Sequence, residues 1–198
     1  MDSVLIAVPT FDSIEPQTFK SIYGLFRPQD TNIMFDFIQG YDVSRARNKL
    51  VEEALKYNFT YIFFIDSDIV LPSHALSMLL YADKDIIFGW YPRKRTTMGQ
   101  TELFELGQKD FTDTNNVRIR DITGEEPVKI KGGGFGCALV KTSVFSKLGD
   151  GCWFKYVEYS PASVLSEDNY FCCMASNAGF DIWYHPQVRC GHVSKVVL

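Results

Sequence analysis

Two short runs in the first half of the chain, Ser3–Val8 (SVLIAV) and Tyr61–Ile65 (YIFFI), are apolar at nearly every position. A strand with one face in water alternates apolar and polar residues, so a run without alternation predicts a strand covered on both faces. Between the runs lie segments of helical spacing. Phe19, Ile22, Tyr23 and Phe26 predict a helix after Pro16, and Val43, Ala46, Leu50, Val51, Ala54 and Tyr57 predict a clearer one over 42–57, capped by Asp42. Further strands are expected over 32–38 and 85–89, and a further helix over 72–82. Doubly covered strands alternating with helices predict an α/β fold around a mainly parallel sheet.

After Trp90 the pattern changes. Residues 92–116 are polar and aperiodic, and 117–131 read as a small antiparallel hairpin around Thr123-Gly124-Glu125. A strand over 136–140 precedes a short helix that Thr142 is placed to cap. A helix over 166–178 has Ser166 as N-cap and Gly179 as terminator, and Ile182–Tyr184 reads as a last strand. The expected organisation is one domain over 1–198.

At 198 residues the chain can bury a core without disulfide or metal staples. Its net charge of −4 and pI near 5.4 argue against a nucleic-acid groove or an anionic membrane surface as partner. The five cysteines, Cys137, Cys152, Cys172, Cys173 and Cys190, form no CxxC pair, which predicts reduced and mostly buried thiols. No leader-like or membrane-spanning pattern is found, so a cytoplasmic protein without a membrane span is expected.

The chemistry concentrates at Asp66-Ser67-Asp68, directly after the apolar YIFFI run. In open parallel sheets ligands bind beyond the carboxyl ends of the strands. Two carboxylates beside a doubly buried strand are costly unless a cation or donors compensate them. A hard divalent ion such as Mn²⁺ or Mg²⁺ takes oxygen ligands and also binds phosphates. The competing reading is a simple turn, for which Asp-Ser-Asp is suitable chemistry.

Four blocks in order resemble the GT-A class of glycosyltransferases, in particular its family-2-like group. They are Val8-Pro9-Thr10-Phe11-Asp12; Ala46-Arg47-Asn48; Phe64-Ile65-Asp66-Ser67-Asp68-Ile69 with Pro72; and Gly132-Gly133-Gly134-Phe135-Gly136-Cys137-Ala138-Leu139 followed by Ser166-Glu167-Asp168 and Gly191-His192. The chain is also similar to small virus-encoded glycosyltransferases that decorate capsid proteins. The resemblance implies a GT-A fold with a nucleotide-binding half, 1–91, and an acceptor and sugar half, 92–198. It implies transfer of a sugar from a nucleotide-sugar, a UDP-sugar by preference, to a hydroxyl on a glycan or glycoprotein, with inversion. The length near the fold's minimum fits either a compact enzyme or one domain of a longer protein.

The same resemblance assigns roles. Asp68 is a direct metal ligand, Asp66 touches the metal or the ribose beside Ser67, and His192 is a third ligand or, on the competing reading, a surface histidine. Pro9, Thr10, Phe11 and Asp12 lie where the nucleoside binds, with Phe11 either stacking on the base or packing in the core. Asp168 is the base that deprotonates the acceptor, with Glu167 next in line; ordinary helix N-terminal charge is the alternative. Arg47 sits on the apolar face of its helix and needs a partner, either the nucleotide or a carboxylate such as Asp36. Gly132, Gly133 and Gly134 permit close backbone approach and are read as the floor of the sugar and acceptor site, with a flexible hairpin loop as the alternative. Trp90 and Tyr91 either stack on a sugar or pack. His74 and His185 are read as a helix-surface and a loop residue.

Competing classes are a sugar-phosphate nucleotidyltransferase, a phosphatase of the haloacid dehalogenase type and a non-catalytic nucleotide-sugar or glycan-binding module. The first lacks its Gly-, Arg- and Lys-containing signature after the first strand. The second places its Asp-x-Asp after an early strand rather than the third.

Overall fold

The computed structural model describes residues 1–93, 103–105, 117–118, 123–149, 151–160 and 163–194. In chain order the elements are β1 (Asp2–Thr10), α1 (Pro16–Tyr23), β2 (Thr31–Gln39), α2 (Val43–Lys56), β3 (Tyr61–Ile65), β4 (Ile69–Val70), α3 (Ala75–Tyr81) and β5 (Ile86–Trp90). There follow β6 (Leu103–Glu105), β7 (Val117–Arg118), β8 (Val128–Ile130), β9 (Gly132–Gly133), β10 (Cys137–Lys141) and α4 (Thr142–Leu148). The last are β11 (Val157–Ser160), β12 (Ser163–Leu165), α5 (Glu167–Asn177), β13 (Ile182–Arg189) and β14 (Gly191–His192).

Seven strands form the central sheet in the order β2-β1-β3-β10-β5-β13-β8. The strands β1, β2, β3, β5 and β13 run one way; β10 and β8 run against them. The sheet is therefore mainly parallel, as the alternating pattern predicts.

The unbroken apolar runs have their explanation in the two cores. Alternate residues Leu5, Ala7, Ile62, Phe64 and Phe88 face one layer with Leu50, Phe145 and Phe171. Their neighbours Val4, Ile6, Val8, Phe63, Ile65 and Ile87 face the other, with Ile22 and Leu76. Both faces are covered, so neither set of positions tolerates polarity. Asp42 caps α2 by accepting from the Arg45 backbone N–H at 3.1 Å.

Several expectations require correction. The 117–131 hairpin does not form: β7 pairs with β6, and β8 pairs with β13 at the sheet edge, where Ile130 is drawn into the core. Residues 119–122 of that stretch, and most of 92–116, lie outside the described residues, yet β6 interrupts the supposed aperiodic segment. Lys141 rather than Thr142 is the N-cap of α4, because the Thr142 hydroxyl donates to the Phe59 carbonyl at 2.5 Å. Ser166 occupies the N-cap of α5 without bonding its backbone. The last strand runs on to Arg189 and includes His185, which is buried rather than in a loop. Gly179, with φ of +88°, ends α5 as expected.

Candidate active site

A cavity of about 360 Å³ opens where β1, β2, β3 and β5 end, the position that open α/β sheets use for ligands. Pro9-Thr10-Phe11 line it at the end of β1, Tyr41-Asp42-Val43 after β2, Asp66-Ser67-Asp68 after β3 and Tyr91 after β5. Phe135, just before β10, and Glu167-Asp168, at the start of α5, close the opposite side. Residues distant in sequence meet here because five strands point their carboxyl ends the same way.

Arg47 is the structural centre of the site. It is 2 % exposed, its Nη1 donates to Glu167 Oε1 at 2.6 Å, and its Nη2 donates to Asp66 Oδ1 at 2.9 Å. The guanidinium carbon lies 5.4 Å from the Phe135 ring centre and 5.7 Å from that of Phe154. Burial alone would lower its pKa, but the charges of Asp66, Glu167 and Asp168 outweigh that and raise it further. The partners are Asp66 and Glu167, not Asp36, whose carboxylate accepts from the Phe37 backbone N–H instead. The next residue, Asn48, clamps the loop that carries Phe154, donating to the Phe154 carbonyl at 2.8 Å and accepting from its N–H at 3.0 Å.

The two acids of α5 stand in different surroundings. Glu167 is buried, holds Arg47 and also accepts a hydrogen bond from the Tyr156 hydroxyl. Burial first, and then the Glu167 charge, raise the Tyr156 pKa and keep that phenol protonated as a donor. Asp168 is half-buried, and its Oδ1 accepts from the Ser166 hydroxyl and from the Asn169 N–H at 2.7 Å. Its pKa is pushed up to about 6, by burial and then by Glu167, against the pull of Arg47 and the two hydrogen bonds. A carboxylate poised near neutrality at a cavity wall has the proton affinity that general-base work favours.

Asp66-Ser67-Asp68 is indeed a turn, closed by the Ile69 N–H on the Asp66 carbonyl at 3.1 Å. The turn reading and the placing of carboxylates are thus compatible. Next to it, β4 pairs with β14 so that His192 stands opposite Ile69. The Val193 N–H also donates to the Asp68 carbonyl at 2.8 Å. This pairing places His192 Nε2 3.2 Å from Asp68 Oδ1, while Nδ1 lies 2.8 Å from the Pro92 carbonyl. A carbonyl only accepts, so Nδ1 carries a proton. Nε2 faces the Asp68 carboxylate either as a donor from the doubly protonated ring or, in the neutral ring, as a lone pair that needs a cation between them.

Two cis ligands at about 2.1 Å from a hard octahedral ion lie about 3 Å apart, close to the spacing of this pair. The Asp68 and His192 donor atoms therefore fit a shared divalent cation. Asp66 is turned into Arg47, and no group of three or more metal-binding side chains is assembled among the described residues. Of the expected ligands Asp66, Asp68 and His192, the structure brings the side chains of Asp68 and His192 together, while Asp66 Oδ1 is engaged by Arg47.

The other expected site residues divide. Phe11 is 69 % exposed at the cavity rim, so it is not core. Pro9 and Thr10 line the cavity, the Thr10 hydroxyl donating to the Ser13 carbonyl at 2.7 Å. Asp12 is exposed outside the lining, its carbonyl accepting from the Gln39 side chain. Trp90 packs against the core, whereas Tyr91 lines the cavity, meets the His192 ring edge-on at 5.7 Å and accepts from the Gly136 N–H at 3.1 Å.

Gly132, Gly133 and Gly134 are buried and do not line this cavity. A Cβ at Gly132 would stand 3.2 Å from that of Cys172, so α5 packing explains the missing side chain there. The wall is Phe135. His74 stands at the start of α3 with Nε2 3.2 Å from the Gln187 carbonyl. All five cysteines are free and all but Cys152 are buried.

Sequence reading missed Tyr41, Phe135 and Tyr156. Tyr41 follows a strand end and precedes the N-cap Asp42, a position the strand-end rule could have flagged. Tyr156 carries no comparable local signal, since only folding brings it to Glu167.

No family model and no curated protein matches the chain in sequence. Many solved structures resemble it in shape, among them the following two. The crystal structure of A197 from STIV is 14 % identical with a TM-score of 0.65, over 98 % of this chain and 87 % of that one. The crystal structure of GalNAc-T7 with UDP, GalNAc and Mn²⁺ is 12 % identical with a TM-score of 0.66, over 99 % of this chain but 44 % of that one. The chain thus spans less than half the length of GalNAc-T7. At these identities the likeness establishes architecture, and together with the strand order and the cavity position it gives the chain the GT-A glycosyltransferase fold.

Proposed function

We propose that the chain transfers a sugar from a nucleoside diphosphate donor, a UDP-sugar by preference, to a hydroxyl of a glycan or glycoprotein, inverting the anomeric centre and depending on Mn²⁺ or Mg²⁺. The observation that carries this reading is the charge of the cavity: among the described residues that line it, Asp42, Asp66, Asp68, Glu167 and Asp168 stand against Arg47 as the one cation. An anionic diphosphate would be repelled there unless a cation came with it. Asp68 and His192 would hold that ion, which supplies Lewis-acid stabilisation of the charge developing on the leaving diphosphate.

Phe11 and Tyr41, both exposed at the rim, offer rings to the base, and the buried Tyr91 forms part of the cavity wall. Arg47 holds Asp66 and Glu167 in fixed orientations, which leaves Asp168 to take the acceptor proton. Its second carboxylate oxygen has no partner among the described residues. Glu167, engaged by Arg47 and Tyr156, is assigned to positioning rather than to proton transfer. The likeness to a structure holding UDP, GalNAc and Mn²⁺ supports donor and metal by analogy of fold.

The test is a thermal-shift panel of UDP-, GDP- and dTDP-sugars with and without Mn²⁺. A rise in Tm for one nucleotide, only with the metal, is expected. No rise with any donor overturns the proposal. Mn²⁺-dependent donor hydrolysis then separates an enzyme from a binding module.

A further inference from the structure

We infer that the outer edge of β2 is an interface at which a second copy of this chain pairs antiparallel, with the two-fold axis at Phe35. This inference is independent of the proposed activity.

The strand β2 is the last in the sheet and pairs with β1 in unbroken register along all nine residues, from Asp2 opposite Thr31 to Thr10 opposite Gln39. Its other edge is open among the described residues. The Phe37 N–H bonds the Asp36 carboxylate at 2.8 Å and the Thr31 N–H the Pro28 carbonyl at 3.2 Å, so odd-numbered peptide groups face outward. Gly40, on the even set, donates instead to the Thr10 carbonyl at the end of β1. By the same alternation the N–H groups of Ile33, Phe35 and Gln39 point outward, away from β1.

Exposed edges are normally guarded by Lys, Pro, a bulge or short length. The sequence TNIMFDFIQ has none of these: it is long, unbulged, and Asp36 is its only charge. It is also apolar where it is open. Phe35, Phe37 and Met34 are 38 %, 47 % and 54 % exposed. Phe19 of α1 extends the patch, its ring 6.4 Å from Phe35, which in turn lies 6.2 Å from Phe37.

The strand itself favours a second copy as occupant. Its outward set, Thr31, Ile33, Phe35, Phe37 and Gln39, reads polar, apolar, apolar, apolar, polar from either end. An isologous contact requires that self-complementarity. Pairing about Phe35 sets Thr31 opposite Gln39, Ile33 opposite Phe37 and Phe35 opposite its own copy, and its register spans all nine residues. Ile33, Phe35 and Gln39 donate across, while the Thr31 and Phe37 N–H groups keep their partners within the chain. Asp36 then faces Met34. Pairing about Asp36 would oppose two carboxylates and shorten the ladder, and pairing about Met34 would also shorten it. The favoured arrangement continues the sheet from one chain into the next, with the two cavities at opposite ends of the assembly.

Sedimentation velocity of the wild-type chain should show a particle of twice the 22.6 kDa chain mass. Phe35→Lys should convert it to a monomer with unchanged circular dichroism, while Tyr81→Lys, at an exposed ring elsewhere, should not. Should Phe35→Lys fail to fold, oxidative cross-linking keeps the test sharp. Phe35→Cys should form a linked dimer, because antiparallel partners lie ~5.5 Å apart at hydrogen-bonded pairs. Asp36→Cys should link no more than the wild type, which sets the background from exposed Cys152. A monomeric wild type, or a dimer indifferent to Phe35→Lys with no Phe35→Cys link, overturns the inference.

Discussion

Arg47 donates to Glu167 at 2.6 Å across 120 residues of sequence, and the same guanidinium holds Asp66 at 2.9 Å. One buried cation thus ties the turn after β3 to the first turn of α5, the two segments that bracket the cavity. An ion pair in such a place is not cheap to form, and its removal is costlier than its replacement.

Arg47→Met should therefore destabilise the chain by roughly 3–5 kcal/mol, because Glu167 is left buried and charged. Adding Glu167→Gln should recover part of that loss. Urea denaturation of both single variants and the double variant gives the coupling. Additive losses would show that the two residues do not act as a pair.

Asp168 has its pKa raised to about 6, so it is ionised at neutral pH and protonated below. If it removes the acceptor proton, kcat should fall about tenfold per pH unit below about 6. Asp168→Asn should abolish that limb and lower kcat by ~10²–10⁴ without weakening Mn²⁺ binding. The stability sign follows from the same shift. A carboxyl with a raised folded-state pKa favours the folded state as pH falls from above 6 toward its ordinary value. Asp168→Asn should accordingly stabilise the chain at pH 8 and lose that advantage near pH 4.

His192 and Asp68 should lose metal together. His192→Ala or Asp68→Asn is expected to weaken Mn²⁺ binding in the presence of UDP by at least ~10–100-fold, read by titration calorimetry. Asp36→Asn, at the carboxylate that serves only β2, should leave it unchanged. Equal metal affinity in all four proteins would remove the Asp68–His192 pair from the proposed site.

Gly136 lies against Tyr91, where an added Cβ would stand 2.8 Å from the ring carbon that bears the hydroxyl. Gly136→Ala should cost about 1–3 kcal/mol through that overlap and the disturbed Gly136-to-Tyr91 hydrogen bond. Combining it with Tyr91→Ala should relieve the overlap, so the double variant should be more stable than the two losses added together.

The sequence by itself determined the layered α/β plan. Whether a run alternates is a local property, and YIFFI or SVLIAV has no exposed face to offer in any register. It also singled out the turn after β3, which lines the cavity, because two carboxylates beside such a strand need compensation wherever the rest of the chain goes. Only tertiary structure decided which compensation each receives. Asp66 goes to Arg47, since α2 delivers a buried guanidinium there, and Asp68 goes to His192, since β14 pairs with β4. Tyr156, Phe135 and the pairing of β8 with β13 were hidden for the same reason: they depend on contacts between distant segments, which no local periodicity encodes. Glu167 and Asp168 show the division most plainly. They are adjacent acids in one helical turn, alike in sequence, and only their surroundings make one the anchor of Arg47 and the other a carboxyl that titrates near 6.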